Sequence, residues 1–147
     1  MTEANAVEAV RALARASRIL ERVSGELNLA HYRVLSAIAS GDERASRVAA
    51  RLAIGKPTVS AAVDSLGQRG LLTRTGADTD QRVAVLRLTD AGRELLDSVE
   101  AEMVSRIEGL AVRTPNGKQL IESLVWLGRA IDESVAERFA ARRGSGR

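Results

Sequence analysis

The residues best suited to chemistry in this chain of 147 are short and polar. Thr58, Ser60, Ala61, Ala62 and Ser65 lie in the stretch IGKPTVSAAVDSLGQRG, Ile54 to Gly70. At helical spacing they surround an apolar stripe of Val59, Val63 and Leu66. Ordinary exposed helix faces carry long Glu, Lys and Arg side chains in such places. A slim face lets the helix backbone approach a surface that long side chains would hold away. Hydroxyls can hydrogen-bond base edges or phosphate oxygens, and an alanine methyl fits against that of thymine. The major groove of duplex DNA is about 12 Å wide, close to the diameter of an α-helix with its side chains. Lys56 stands at the head of the same helix. The helix dipole disfavours a cation there unless a phosphate lies close by. Pro57 suits the first turn, where its missing N–H costs nothing.

A second group follows. Arg74, Asp80 and Arg82 flank or occupy the polar stretch GADTDQ, between the β-type runs LLTRT and RVAVLRL. An Asp80–Arg82 pair at the tip of such a hairpin would hold its shape and leave guanidinium donors for a phosphate or a narrow minor groove. Charge points the same way. The formal net charge is only +3, but residues 44–93 hold nine basic and four acidic side chains, a local net of +5. The flanking segments 1–43 and 94–147 are each net −1. The excess sits where the slim helix and the hairpin sit, which implies a polyanionic partner there.

Other chemistries are poorly provided for. No cysteine is present, so disulfides, thiol redox switching and thiolate metal sites are excluded. A single histidine leaves little for a metal centre. With no phosphate-binding glycine loop and no carboxylate pair in an apolar setting, the chain reads as a non-enzyme without cofactor. Aromatic residues are 2% of the chain, too few for a stacking platform for single strands. The absence of an apolar run near 20 residues, and of a basic leader, implies no membrane partner and a cytoplasmic location.

The elements that must position these groups follow from periodicity and caps. A helix is expected over 4–24 and a second over 29–39, capped by Asn28. Ser46 is expected to cap a short helix, 46–52, and Gly70 to end the slim helix. Thr89 caps a long helix over 90–111, and Thr114 to Gly117 separates it from a last helix over 117–141. The polar tail, 142–147, is expected to fray. Two helices joined by a short turn and followed by a hairpin make a winged helix-turn-helix. The expected fold is mainly α with a small β-hairpin wing: a DNA-binding lobe, 28–89, and a helical dimerisation lobe from 1–27 and 90–141. Trp126 is assigned to core or interface.

The segment SRVAARLAIGKPTVSAAVDSLGQRGLLTRTGADTDQRVAVLRLTDAGRELL resembles the DNA-binding core of the MarR family of bacterial transcriptional regulators. The matching signals are TVS…VDSL..RGLL, the Asp80-Gln81-Arg82 wing signature and LRLTDAGRELL; LNLAHYRVLSAIA is similar to the family's second helix. The resemblance implies a repressor that acts as an obligate homodimer on a pseudo-palindromic double-stranded operator. It implies DNA contacts from Ser46, Lys56, Pro57, Thr58, Ser60, Ala61, Ser65, Arg74, Asp80 and Arg82. It also implies a small aromatic or anionic effector between dimer helices and winged lobe, with His31, Tyr32 and Arg33 as polar groups for it. A winged-helix adaptor that binds protein rather than DNA is the alternative reading.

Overall fold

The computed structural model describes residues 2–76 and 84–144. Six helices and one hairpin run in the order α1 (Glu3–Val23), α2 (Leu29–Ala39), α3 (Ala45–Leu52), α4 (Lys56–Gln68), β1 (Leu72–Thr75), β2 (Val85–Leu88), α5 (Asp90–Ala111) and α6 (Gly117–Gly144). The strands pair antiparallel, with Leu72 opposite Leu88 and Thr75 opposite Val85. This is the winged helix-turn-helix with long flanking helices that the sequence predicts.

Side-chain caps start four of the helices. Thr2, Asn28, Thr89 and Asn116 accept from the backbone N–H of Asn5, His31, Gly92 and Gln119, at 3.4, 2.8, 3.0 and 3.1 Å. Each satisfies a donor that the first turn would leave unpaired. Ser46 does not cap α3. That helix begins one residue earlier, at Ala45, and the extended residue before it is Arg44. The Arg44 carbonyl accepts from Arg47 and Val48, both at 3.0 Å, which places Ser46 inside the first turn. At the other end of the chain, α6 continues through Arg142, Arg143 and Gly144, past the expected start of the tail.

The core lies in the winged lobe. Leu27, Val34 and Leu35 on or beside α2, Val48 on α3, and Val59 and Leu66 on α4 are essentially inaccessible. Burying side chains of this size stabilises by roughly 1.5–3 kcal/mol apiece. Ala62, grouped by sequence with the slim face, belongs to this core. Thr89 joins the lobe to α5: its hydroxyl donates to the Gly70 carbonyl at 2.6 Å, and its N–H donates to Leu71 O at 3.1 Å. Gly92 follows in the first turn, where a β-carbon would overlap the Leu71 carbonyl oxygen. Only a glycine lets α5 come this close to the backbone entering β1.

The terminal helices behave differently. Neither α1 nor α6 has a single buried residue. α1 packs on α5, and α6 packs on α5 and on α3. Val7, Val10 and Leu13 on α1, and Leu124, Leu127 and Ile131 on α6, remain exposed. Trp126 is 60% exposed, so it is no part of this chain's core. Among the described residues no helix is long and apolar enough to cross a membrane.

Candidate nucleic-acid interface

The outward face of α4 is built by what lies beneath it. Val59, Ala62, Val63 and Leu66 anchor the helix against the core. Lys56, Pro57, Thr58 and Ala61 are then exposed, and Ser60 and Ser65 half-buried beside them. The tight turn from α3 is made by Ala53, whose φ of 52° is left-handed, and by Gly55, which stands as N-cap without a side-chain cap. Few backbone N–H groups are free at this end. Pro57 has none, and Thr58 and Val59 donate to the Gly55 carbonyl at 3.1 and 3.2 Å. The face therefore offers hydroxyls, small methyls and one lysine, and most of its fit to a groove comes from shape.

Arg74 lies on β1 and reaches back to this helix. Its Nη2 donates to Asp64 Oδ1. The pair spans a cleft of about 370 Å³ lined also by Val63, Gly67, Gln68 and Leu72, and it sets the wing's base against α4. Sequence reasoning missed Asp64, because only opposite charge ten residues apart hinted at it. The expected pair Asp80–Arg82 lies outside the described residues. Glu43, before α3, adds a further brace: its carbonyl accepts from Leu86 N at 2.7 Å and its carboxylate lies 3.6 Å from Arg87.

Both members of the Arg74–Asp64 pair are partly exposed, so Arg74→Ala should change stability by no more than about 1 kcal/mol. It should nevertheless weaken DNA binding, because the wing loses its brace as well as a cation. Thermal melting beside an affinity measurement separates the two effects. A fall in affinity matched by a large fall in melting temperature would mean that the pair serves folding alone.

Ser46 is exposed and borders a second cleft, between α3 and α6. The three residues expected near an effector do not converge. His31 carries a buried Nδ1 without a partner among the described residues. Burial, and then the positive charge of Arg69 at the end of α4, push its pKa down. The Tyr32 hydroxyl instead donates to Glu100 Oε1 on α5, at 3.3 Å. Burial, followed by the Glu100 charge, pushes its pKa up. Arg33 is exposed. Consecutive positions on a helix point about 100° apart, which explains the divergence. Neither cleft described here is lined by the three.

Residues 26–83 match the sequence model of the MarR family. A comparison with curated proteins finds no match. Among solved structures, MarR of Staphylococcus aureus in complex with salicylate and kanamycin is 19% identical, with a TM-score of 0.74 over 92% of this chain and 95% of that one. The PcaV transcriptional regulator of Streptomyces coelicolor, in complex with its natural ligand, is 23% identical, with a TM-score of 0.64 over 86% and 91%. CouR of Rhodococcus jostii, bound to p-coumaroyl-CoA, is 22% identical, with a TM-score of 0.67 over 84% and 87%. Residues 26–83 thus carry the sequence pattern of the MarR family, and the chain shares the fold of these regulators along most of its length.

Proposed function

We propose that this protein is a transcriptional regulator that binds double-stranded DNA as a homodimer, most simply as a repressor on a pseudo-palindromic operator. The observation that carries the reading is α4, held rigidly from below and presenting a slim, exposed, polar outer face. Ser60 and Ala61 sit one turn into the helix, where base edges come within reach; Lys56, Thr58, Ser65 and the wing meet the backbone or flank the groove. Binding should be salt-dependent, with log K falling by about 0.9 per phosphate neutralised for each unit of log salt. Titrating the protein against the duplex upstream of its own gene over a salt series is the test. A flat response, or no binding at low salt, would favour a protein-binding adaptor. At the wing, Arg82 lies outside the described residues, and its contact with the backbone remains a reading of the sequence.

The exposed apolar residues of α1 and α6 support the dimer, since unpartnered apolar faces of this extent mark interfaces. Two copies would set their recognition helices about 34–36 Å apart, one turn of duplex. Sedimentation at low micromolar concentration should give a dimer. A stable monomer that still binds palindromic DNA tightly would contradict it. A small aromatic or anionic effector that releases the DNA is the matching form of regulation, in keeping with the ligands held by the similar structures. A regulator of this kind works where the chromosome is, in the bacterial cytoplasm.

A further inference from the structure

Of the 22 basic side chains in this chain, twenty are arginine and two are lysine, Lys56 and Lys118. An arginine stays charged at every physiological pH, whereas a lysine amine can be acylated and lose its charge. With no cysteine to compete, these two amines are the strongest side-chain acceptors for an acyl group. They stand in different settings. Lys118 lies in the first turn of α6, its ammonium 3.8 Å from the Glu122 carboxylate. Lys56 opens α4, is exposed like Gly55 and Pro57 on either side of it, and has no ion-pair partner among the described residues. No Asp or Glu stands in the chain between Glu43 and Asp64.

A free cation here is opposed by the helix dipole until an anion meets it. The end of the helix also depends on that one charge. Pro57 has no N–H, and those of Thr58 and Val59 are taken by the Gly55 carbonyl at 3.1 and 3.2 Å, so the backbone offers a phosphate little in its place. We propose that Lys56 is acylated on Nζ by an acyl thioester, and that this modification releases the protein from DNA. In the reaction the ammonium first gives a proton to water. The neutral nitrogen then attacks the thioester carbonyl. An N–C bond forms, the C–S bond breaks, and the thiol leaves with the second proton from nitrogen. Nothing is oxidised or reduced.

The product is a neutral amide, and it has two effects of opposite sign. α4 loses a charge that its dipole opposes, so the fold gains stability. DNA loses a phosphate contact in each subunit, so binding weakens and becomes less sensitive to salt. A lysine that served folding alone would not move the two in opposite directions. The release from DNA rests on the regulatory reading above; the acylation itself does not.

The test is incubation of the full-length protein with acetyl-CoA at mildly alkaline pH, with mass-spectrometric mapping that separates each lysine from the α-amino group. Lys56 should be acetylated ahead of Lys118. The modified protein should melt about 1–4 °C higher. Its affinity for the duplex upstream of its own gene should fall about tenfold or more, and its salt slope by about 0.9 per subunit. Lys56→Arg keeps a cation without an acylatable amine, so its DNA binding should no longer respond to the reagent. Lys118→Arg should respond as the parent does. Acetylation confined to Lys118, or absent from both lysines, would overturn the proposal. So would a Lys56-acetylated protein with unchanged affinity and slope, or a Lys56→Arg protein that still loses affinity on treatment. Selective acetylation of Lys56 with the rise in melting temperature, in a protein that binds no DNA even before treatment, would uphold the site and overturn only the regulatory reading.

Discussion

Ala61→Glu should all but abolish operator binding while leaving the protein folded. Ala61 is exposed, whereas Val59, Val63 and Leu66 on the opposite side of α4 are at most 2% exposed, so the anchoring of the helix does not involve it. A surface change of this kind usually alters stability by no more than about 0.5 kcal/mol. In a groove the consequences are different. The new side chain is longer than the methyl it replaces and carries a negative charge toward a polymer bearing one phosphate charge per about 1.7 Å of axis. Like charges set against each other across an interface cost several kcal/mol, and a dimer meets the cost twice, so a loss of about a thousandfold or more is expected. Fluorescence anisotropy on the operator, with a thermal melt of the same sample, measures both quantities. An Ala61→Glu protein that binds within tenfold of the parent would show that this face of α4 does not enter the groove.

Gly92→Ala should destabilise the fold, against what helix propensity alone predicts. In a helix interior alanine is better than glycine by up to about 1 kcal/mol. Here the added β-carbon meets the Leu71 carbonyl oxygen, which is backbone and cannot swing aside. That oxygen accepts from Thr89 N at 3.1 Å, and Leu71 N donates to Leu66 O at 2.9 Å, so displacing it disturbs the end of α4, the entry to β1 and the start of α5 together. Overpacking costs about 1–3 kcal/mol, and loss of the Thr89 cap about 1 more, enough to lower the melting temperature by roughly 10 °C in a chain of this size. Gly109→Ala is the matched control: it lies on the same helix, and a β-carbon there meets nothing within 4 Å. Its melting temperature should rise slightly. A rise for Gly92→Ala as well would mean that α5 and the β1 entry are not in the close contact described here.

Much of the architecture is legible wherever a local signal carries it. Asn28 and Thr89 mark α2 and α5 to the residue, because a capping side chain bonds to a backbone N–H only three residues away. Pro57 and Gly70 bracket α4 for equally local reasons, a fixed φ at one end and a φ of 73° at the other. Ser46 shows the limit of the same logic. A hydroxyl is suited to a cap, but the chain's entry into α3 is decided by Glu43 and its hydrogen bond to β2, which draws Arg44 into the extended cap position.

The slim face of α4 could be read from residue type, and its boundary could not. Ala61 and Ala62 are identical in sequence terms, yet one is exposed and the other lies in the core, because the width of a buried stripe depends on how the neighbouring helices approach. His31, Tyr32 and Arg33, expected from the sequence at an effector site, are adjacent in the chain, yet His31 is near Arg69, Tyr32 bonds to Glu100 and Arg33 is exposed. The Arg74–Asp64 and Arg51–Asp132 pairs join residues that no local pattern relates, so only the packing of β1 on α4 and of α6 on α3 could bring them together. By itself the sequence determined the periods, caps and turns, and with them the winged helix-turn-helix and its slim helix, since each depends on interactions within a few residues. The tertiary structure decided which charges pair, which methyls are buried and where a cleft opens, since those depend on the approach of segments far apart in the chain.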